Sequence, residues 1–204
     1  MTHGSARVRS YQVRRGRTGP TSRAAYQRLW PVYAALPPYS CSVLEVGFGM
    51  GEATALMAAQ DPRPLLAVEV HPAGIMSLLR RLEQAELSNV RIVEGDAVDV
   101  LHALPEQSLD EVRLYFPDPW PKARHVKRRL VRPAFAELVA SRLTAGGFLH
   151  LATDIPAYAD HCREVLRAWD LETVPRPAHR PVTGYERRAL LAGREPVDIM
   201  ARPH

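Results

Sequence analysis

The chain is short of cysteine, of lysine and of long apolar runs, and each shortage narrows what it can be. Two cysteines, Cys41 and Cys162, stand far apart in 204 residues. They have no metal-ligand spacing, and two thiols build no disulfide framework. The eight histidines are scattered without metal spacing either, so no metal is expected. No stretch of eighteen apolar residues occurs and no charged-then-apolar amino terminus precedes the rest. Neither a membrane span nor a signal peptide is therefore expected, and the protein reads as soluble and cytoplasmic. Repeats and low-complexity segments are absent as well. What remains is a chain that is 46% hydrophobic, too apolar for disorder and sized for one domain.

Acids are missing from two stretches. Met1–Leu44 carries seven arginines and no carboxylate, and Pro119–Ala136 carries Lys122, Arg124, Lys127, Arg128, Arg129 and Arg132 and none. The net charge is +5, yet outside these blocks 14 cations face all 22 acids. An acidic body bearing two basic blocks points to a polyanion partner, because clustered cations gain by displacing phosphate counterions. Neither block has the amphipathic pattern of a membrane-surface helix. Arginine outnumbers lysine 25 to 2, a compositional bias. Both lysines fall in the second block, a hint that an ammonium is wanted there.

Residues 1–20 are polar and lack a core period, which predicts a flexible basic arm ahead of a single domain over 21–204. A helix is expected over Ser22–Ala35, ending at the Leu-Pro-Pro-Tyr-Ser break. Short apolar runs at Ser42–Val46, Leu65–Val70, Val90–Val93, Val112–Phe116 and Phe148–Thr153 read as buried strands. Between them, Ile75, Leu78, Leu79 and Leu82 recur at helical spacing after Pro72. Phe135, Leu138, Val139 and Leu143 do the same up to a stop at Gly146-Gly147. Tyr158, Cys162, Val165, Leu166 and Trp169 form a third helical stripe. Two more strands are expected around Leu171–Val174 and Pro196–Met200. Strand–helix alternation implies a doubly wound α/β domain, a mostly parallel sheet with helices on both faces.

Such sheets bind ligands beyond the carboxyl ends of their strands. The first strand runs into Glu45-Val46-Gly47-Phe48-Gly49-Met50-Gly51. Its Gly-x-Gly-x-Gly spacing differs from the Gly-x-Gly-x-x-Gly of dinucleotide sites. A carboxylate two residues before Gly47 would repel a pyrophosphate, but it suits a ligand ammonium such as that of S-adenosylmethionine. Glu69 ends the second strand, where an acid can accept hydrogen bonds from ribose hydroxyls. Asp96 follows the third strand, where it could receive an adenine amino group. The plainer reading has Glu45 and Glu69 paired with arginines and Asp96 capping a helix. The fourth strand ends in Phe116-Pro117-Asp118-Pro119-Trp120-Pro121-Lys122. Its three prolines rigidify a loop that offers Asp118 as a fixed carboxylate and Trp120 as a stacking face. A structural turn around a buried tryptophan is the alternative.

The run FPDPWPKARHVKRRL, with EVGFGMG upstream, RSYQVRRGR and LWPVY before it, and LATD and RPVTGYERR after it, resembles the bacterial tRNA (guanine-N7-)-methyltransferases over nearly the whole chain. The resemblance implies a Rossmann-like class I methyltransferase domain that transfers a methyl group from S-adenosylmethionine to N7 of guanosine 46 in the tRNA variable loop. It implies that Glu45, Gly47, Gly49, Glu69, Asp96 and Asp118 contact the cofactor or frame its methyl group, with Asp118 catalytic. Lys122, Asp154, Thr183 and Glu186 would face the guanosine, and Arg124, Lys127, Arg128 and Arg129 the RNA backbone. Gly184 departs from the family, which usually carries Lys or Arg there. The end of the chain is looser than the family pattern. Three other readings are a nicotinamide-dependent oxidoreductase, which the glycine spacing and Glu45 disfavour, a non-catalytic RNA-binding module, and a methyltransferase acting on another RNA or on protein.

Overall fold

The computed structural model describes residues 10–11 and 20–204, with side chains in the first helix from Arg23 onward. Most of the expected arm over residues 1–20 lies outside the described residues. Strands β1 (Val43–Val46), β2 (Leu65–Glu69), β3 (Val90–Glu94), β4 (Leu109–Tyr115), β5 (Leu143–Thr153), β6 (Asp170–Val174) and β7 (Val197–Arg202) form one sheet in the order β3-β2-β1-β4-β5-β7-β6. The strands from β3 to β5 run parallel, and β7 lies antiparallel between β5 and β6. Helices α1 (Pro20–Tyr33), α2 (Glu52–Ala58), α3 (Pro72–Gln84), α4 (Ala97–Ala103), α5 (Pro133–Arg142), α6 (Pro156–Val165) and α7 (Gly184–Leu191) connect or flank them. Strand order reverses between β1 and β4, so the crevice beyond their carboxyl ends is the site such sheets offer a ligand.

The apolar runs are continuous because these strands are buried on both faces. In β2, Leu65 and Ala67 pack with Ile75, Leu78, Leu79 and Leu82 of α3 on one face. Leu66 and Val68 join Val100 and Leu101 of α4, Val139 of α5 and Cys162 of α6 on the other. The period-2 alternation of a strand thus divides one hydrophobic run between two cores. Both cysteines are buried free thiols. Among the described residues no helix is long and apolar enough to cross a membrane.

Each expected apolar run overlaps a strand, although β5 begins at Leu143 rather than Phe148, and the first helix spans Pro20–Tyr33 rather than Ser22–Ala35. Helix α5 ends at Arg142 rather than at the two glycines, because Leu143 already pairs with Leu109 in the β4–β5 ladder. The third stripe outlasts its helix. Beyond Val165, Leu166 and Trp169 form a turn, with the Trp169 N–H donating to the Leu166 carbonyl, and still pack on the core. The stretch after Thr183, which composition makes a loop, is α7.

Helix α3 begins very close to the turn after β1. A β-carbon on Gly74 would stand 2.0 Å from the Gly49 carbonyl oxygen. Gly74→Ala should therefore destabilise the fold by roughly 1–3 kcal/mol of overpacking and lower the melting temperature, although alanine is the better helix former. An unchanged or higher melting temperature in thermal unfolding would show that this approach constrains nothing.

Candidate active site

Two clefts open at the carboxyl edge of the sheet. The first, of about 180 Å³, is lined by Gly47, Glu69, Asp96, Asp118, Ser10 and Tyr11 among others. The second, of about 500 Å³, lies between the glycine turn and α7 and is lined by Glu45, Gly49, Phe116 and Thr183 among others. Gly47, Tyr115 and Phe116 border both.

The turn between β1 and α2 is built on positive φ: Gly47 at 72°, Gly49 at 58° and Gly51 at 69°. Gly51 is doubly constrained, since a β-carbon there would also lie 2.7 Å from the Leu78 side chain. No atom comes within 4 Å of where a β-carbon would sit on Gly47 or Gly49, which leaves bare backbone facing the clefts. Glu69 holds the turn from below. Its Oε2 accepts from the Gly49 N–H at 2.9 Å, and its Oε1 accepts from the Val70 and His71 N–H groups. Asp96 caps α4 by accepting from the Val98 N–H at 2.9 Å and still borders the first cleft.

Glu45 differs from these acids. It is 3% exposed, and its Oε1 accepts from the Thr54 hydroxyl at 3.1 Å. Its Oε2 is buried with no hydrogen-bond partner. Burial, with smaller contributions from Glu111 and Glu69, pushes its carboxyl up to about 7 against the pull of Arg113 and Thr54. A buried carboxylate oxygen without a partner can accept a hydrogen bond from a group that enters the cleft, and a cationic donor satisfies it best.

Asp118 is exposed at the first cleft, on a loop whose flanking residues are strained. Phe116 has φ 51° and Trp120 φ 42°, conformations that cost non-glycine residues about 1–3 kcal/mol each and persist only when the surroundings fix them. The Phe116 N–H donates to the Ala152 carbonyl at 2.7 Å, and the Arg129 Nε to the Pro119 carbonyl at 3.0 Å. One face of Trp120 is already taken. Its Nε1 donates to the Ser10 carbonyl at 2.9 Å, the Arg128 guanidinium lies 4.9 Å from its ring centre, and His125 meets it edge-on.

The basic block forms a 3₁₀ turn over Ala123–Arg128 with Lys122 at its head. Lys122, Arg124 and Lys127 are exposed, whereas Arg128 and Arg129 pack against Trp120 and Tyr158. Partial burial, and after it the cations Arg124, Arg128, Lys122 and Lys127, hold the His125 imidazole below its ordinary pKa.

Two expected substrate contacts are engaged within the protein. Asp154 is buried, accepting from Arg194 Nε at 2.8 Å and from the Tyr185 hydroxyl at 3.4 Å. Glu186 is also buried, and both of its oxygens accept from Arg180 at 2.7 and 3.0 Å. Thr183 lines the second cleft and caps α7, accepting from the Glu186 N–H at 3.2 Å. The residues Thr-x-x-Glu at 183–186 are a capping-box signature, the signal that would have placed this helix. Sequence reasoning missed Arg180 and Asp198 altogether. Arg180 donates to both oxygens of Asp198 at 2.7 and 2.8 Å and lies over the rings of Tyr115 and Phe116. His150 completes the network, linking Asp198 at 2.8 Å to the Tyr115 hydroxyl at 2.9 Å.

Folding also brings Glu111, His150 and His179 within metal-ligand reach of one another. Both ring nitrogens of His150 are hydrogen-bonded, and Glu111 is ion-paired with Arg113 and Arg63. The cluster is therefore part of the polar network.

Two outcomes follow. Glu45 has a folded pKa above its unfolded value near 4.5, so its contribution to stability is fully present below about pH 4.5 and is lost as pH rises through about 7. Glu45→Gln should therefore raise stability of the ligand-free protein at pH 8 by on the order of 3 kcal/mol, with the gain vanishing near pH 4.5. A gain independent of pH in denaturant titrations would contradict this. Arg180→Met leaves two buried carboxylates without their cation and should cost roughly 3–5 kcal/mol. A variant as stable as the parent would remove Arg180 from the framework.

Residues 40–199 match the family model described as a putative methyltransferase. The chain is 44% identical to the tRNA (guanine-N(7)-)-methyltransferase of Nitrosospira multiformis, covering 96% of this chain and 94% of that protein. It is 43% identical to the protein of the same name from Streptomyces avermitilis, over 98% of this chain and 77% of that one. Among solved structures, precorrin-6y C5,15-methyltransferase from Geobacter metallireducens superposes with a TM-score of 0.56 at 16% identity, covering 90% of this chain and 87% of that one. An rRNA methylase from Streptococcus thermophilus does so with a TM-score of 0.52 at 15% identity, covering 91% and 97%. On identity sustained across nearly its full length, the chain belongs to the bacterial tRNA (guanine-N(7)-)-methyltransferase family.

Proposed function

We propose that this protein methylates N7 of guanosine 46 in the variable loop of tRNA, with S-adenosylmethionine as donor. The observation that carries this reading is the strained loop holding Asp118 beside the glycine turn, continuous with the cationic turn at Lys122. A cytoplasmic location follows from that substrate.

The residues present fit the donor. Glu45 Oε2, buried and unpartnered, is the acceptor proposed for its ammonium group. The open backbone at Gly47 and Gly49 leaves room for its chain. Glu69 Oε2 accepts one hydrogen bond, so it retains a lone pair for a ribose hydroxyl. Asp96, which borders the first cleft, is assigned the adenine amino group. When bound, S-adenosylmethionine supplies an electrophilic methyl group on a sulfonium.

Guanine N7 carries a lone pair and no proton, so no base is needed to uncover it. A methyl group placed on N7 would leave positive charge on the purine. What the protein must provide is in-line positioning and a carboxylate near that charge. Asp118 is assigned both tasks, accepting from the guanine N–H edge. Lys122 and Thr183 are assigned direct contacts with the nucleotide. Asp154 acts through the Tyr185 hydroxyl, and Glu186 through Arg180, as positioning residues. Arg124 and Lys127 face RNA phosphates, while Arg128 and Arg129 hold the turn that presents them.

Methyl-labelled donor, unmodified tRNA transcripts and nucleoside analysis test the reading. Label in 7-methylguanosine, lost when guanosine 46 is replaced, is the expected result, and label in any other nucleoside would overturn the specificity. Asp118→Asn should lose turnover by roughly a hundredfold while donor affinity stays within a few-fold. Near-normal turnover would remove Asp118 from its role. Because an ammonium needs the ionised carboxylate, donor affinity should rise with pH up to about 7 and then level. Glu45→Gln should bind weakly at every pH, and a variant retaining the parental pH profile would exclude Glu45 as the ammonium partner.

A further inference from the structure

Most arginines of the described body are committed. Arg28, Arg63, Arg113, Arg142, Arg180, Arg187 and Arg194 pair with carboxylates, and others donate to carbonyls or lie on aromatic rings. Two exceptions share one place. Arg81, in the last turn of α3, and Arg188, on α7, both line the second cleft and are exposed. Among the described residues neither has a carboxylate partner. They belong to different helices, and none of the residues from Pro119 to Arg132 lines this cleft.

Helix α7 is fixed to the glycine-turn side of this cleft by Glu52, the first residue of α2. Its carboxylate accepts from the Gly184 N–H at 3.1 Å and from Arg187 at 3.4 Å. These contacts, with the field of Arg81 behind them, hold the Glu52 carboxyl below the usual carboxylate range. Glu52 is thereby ion-paired with Arg187, and among the described residues no carboxylate lies within ion-pair distance of Arg81 or Arg188. A β-carbon on Gly184 would lie 3.7 Å from Arg187, 3.8 Å from Glu52 and 3.9 Å from the Arg188 Nη1, so these three charged groups gather around the start of α7. Two unpaired guanidiniums held at the entrance to a cleft are matched by an anion with several oxygens.

We infer that Arg81 and Arg188 form a second phosphate-binding site, separate from the basic turn, which grips RNA phosphodiesters next to the nucleotide held between Asp118 of the first cleft and Thr183 of the second. The inference rests on the RNA reading proposed above. A base so held carries its two flanking phosphates to the mouth of the second cleft, where these arginines stand. Contacts of this kind set position without reading sequence. They also offset the loss of stacking when a base leaves its neighbours.

The competing ligand is the carboxylate of the methyl donor, and one experiment separates the two. Arg81→Gln, Arg188→Gln and the double variant are compared with the parent for binding of unmodified tRNA transcript across a salt series, binding of S-adenosylhomocysteine, and thermal unfolding. The slope of log K against log salt should fall by about 0.7–0.9 per arginine removed. Arg→Lys variants should restore it, since a phosphate needs only a point charge. S-adenosylhomocysteine affinity should stay within about threefold and the melting temperature should hold. An unchanged slope overturns the inference. So does a loss of S-adenosylhomocysteine affinity at constant slope, which would assign the arginines to the donor carboxylate. Should the double variant unfold, the single variants are read in the same way. A parent protein that itself fails to bind tRNA with salt dependence brings down the function proposed above, an outcome distinct from variants that match a binding-competent parent.

Discussion

Arg180, 1% exposed, divides its guanidinium between Glu186 of α7 and Asp198 of β7, with its face over Tyr115 and Phe116 at the end of β4. One planar cation thus joins the late helix and the antiparallel strand to the two aromatic residues that border both clefts. Two bidentate carboxylates are needed because a single buried charge without partners is far too costly. Through Asp198 the network continues to His150 and the Tyr115 hydroxyl, so the floor of the site is tied to three strands. The second cleft has a wall at all because α7 is anchored from beneath by this ion cluster and from its amino end by Glu52.

The acids at the strand ends are divided by how far the fold has satisfied them. Glu69 and Asp96 are held by backbone N–H groups, so they shape the turn and the helix start while bordering the ligand cleft. Glu45 is left half-satisfied and buried, its carboxyl pushed up to about 7. An enzyme that binds a cationic donor gains from such an arrangement, since affinity comes from pairing a group that the empty protein could not pair. The strain at Phe116 and Trp120 serves a similar end: a fixed loop loses no freedom when substrate arrives.

The sheet was legible because strands buried on both faces leave continuous apolar runs between glycine and proline breaks. The glycine turn was legible too, since Gly47, Gly49 and Gly51 announce a left-handed path that few other residues take. The position of Glu45 ahead of that turn was legible as well, but not that its Oε2 would be buried without a partner. Asp154 and Glu186, by contrast, look like exposed site acids in the sequence. Their real partners, Arg194 and Arg180, are 40 and 6 residues away, and nothing local to either acid says that it will be buried. Trp120 was expected to be a stacking face, yet Arg128, eight residues later, folds back over it.

The sequence by itself determined the order of strands and helices, the turn that receives a ligand and the two basic blocks, because period, glycine and charge act over a few residues. Tertiary structure alone decided which charges remain free. Of the many arginines in this chain, pairing consumes most and leaves Arg81 and Arg188 at a cleft mouth, and of three acids at strand ends it leaves one oxygen of Glu45 unpaired. The physical reason is that a charge is spent or available according to what approaches it within a few ångströms, and in a doubly wound sheet those neighbours come from other crossovers of the chain.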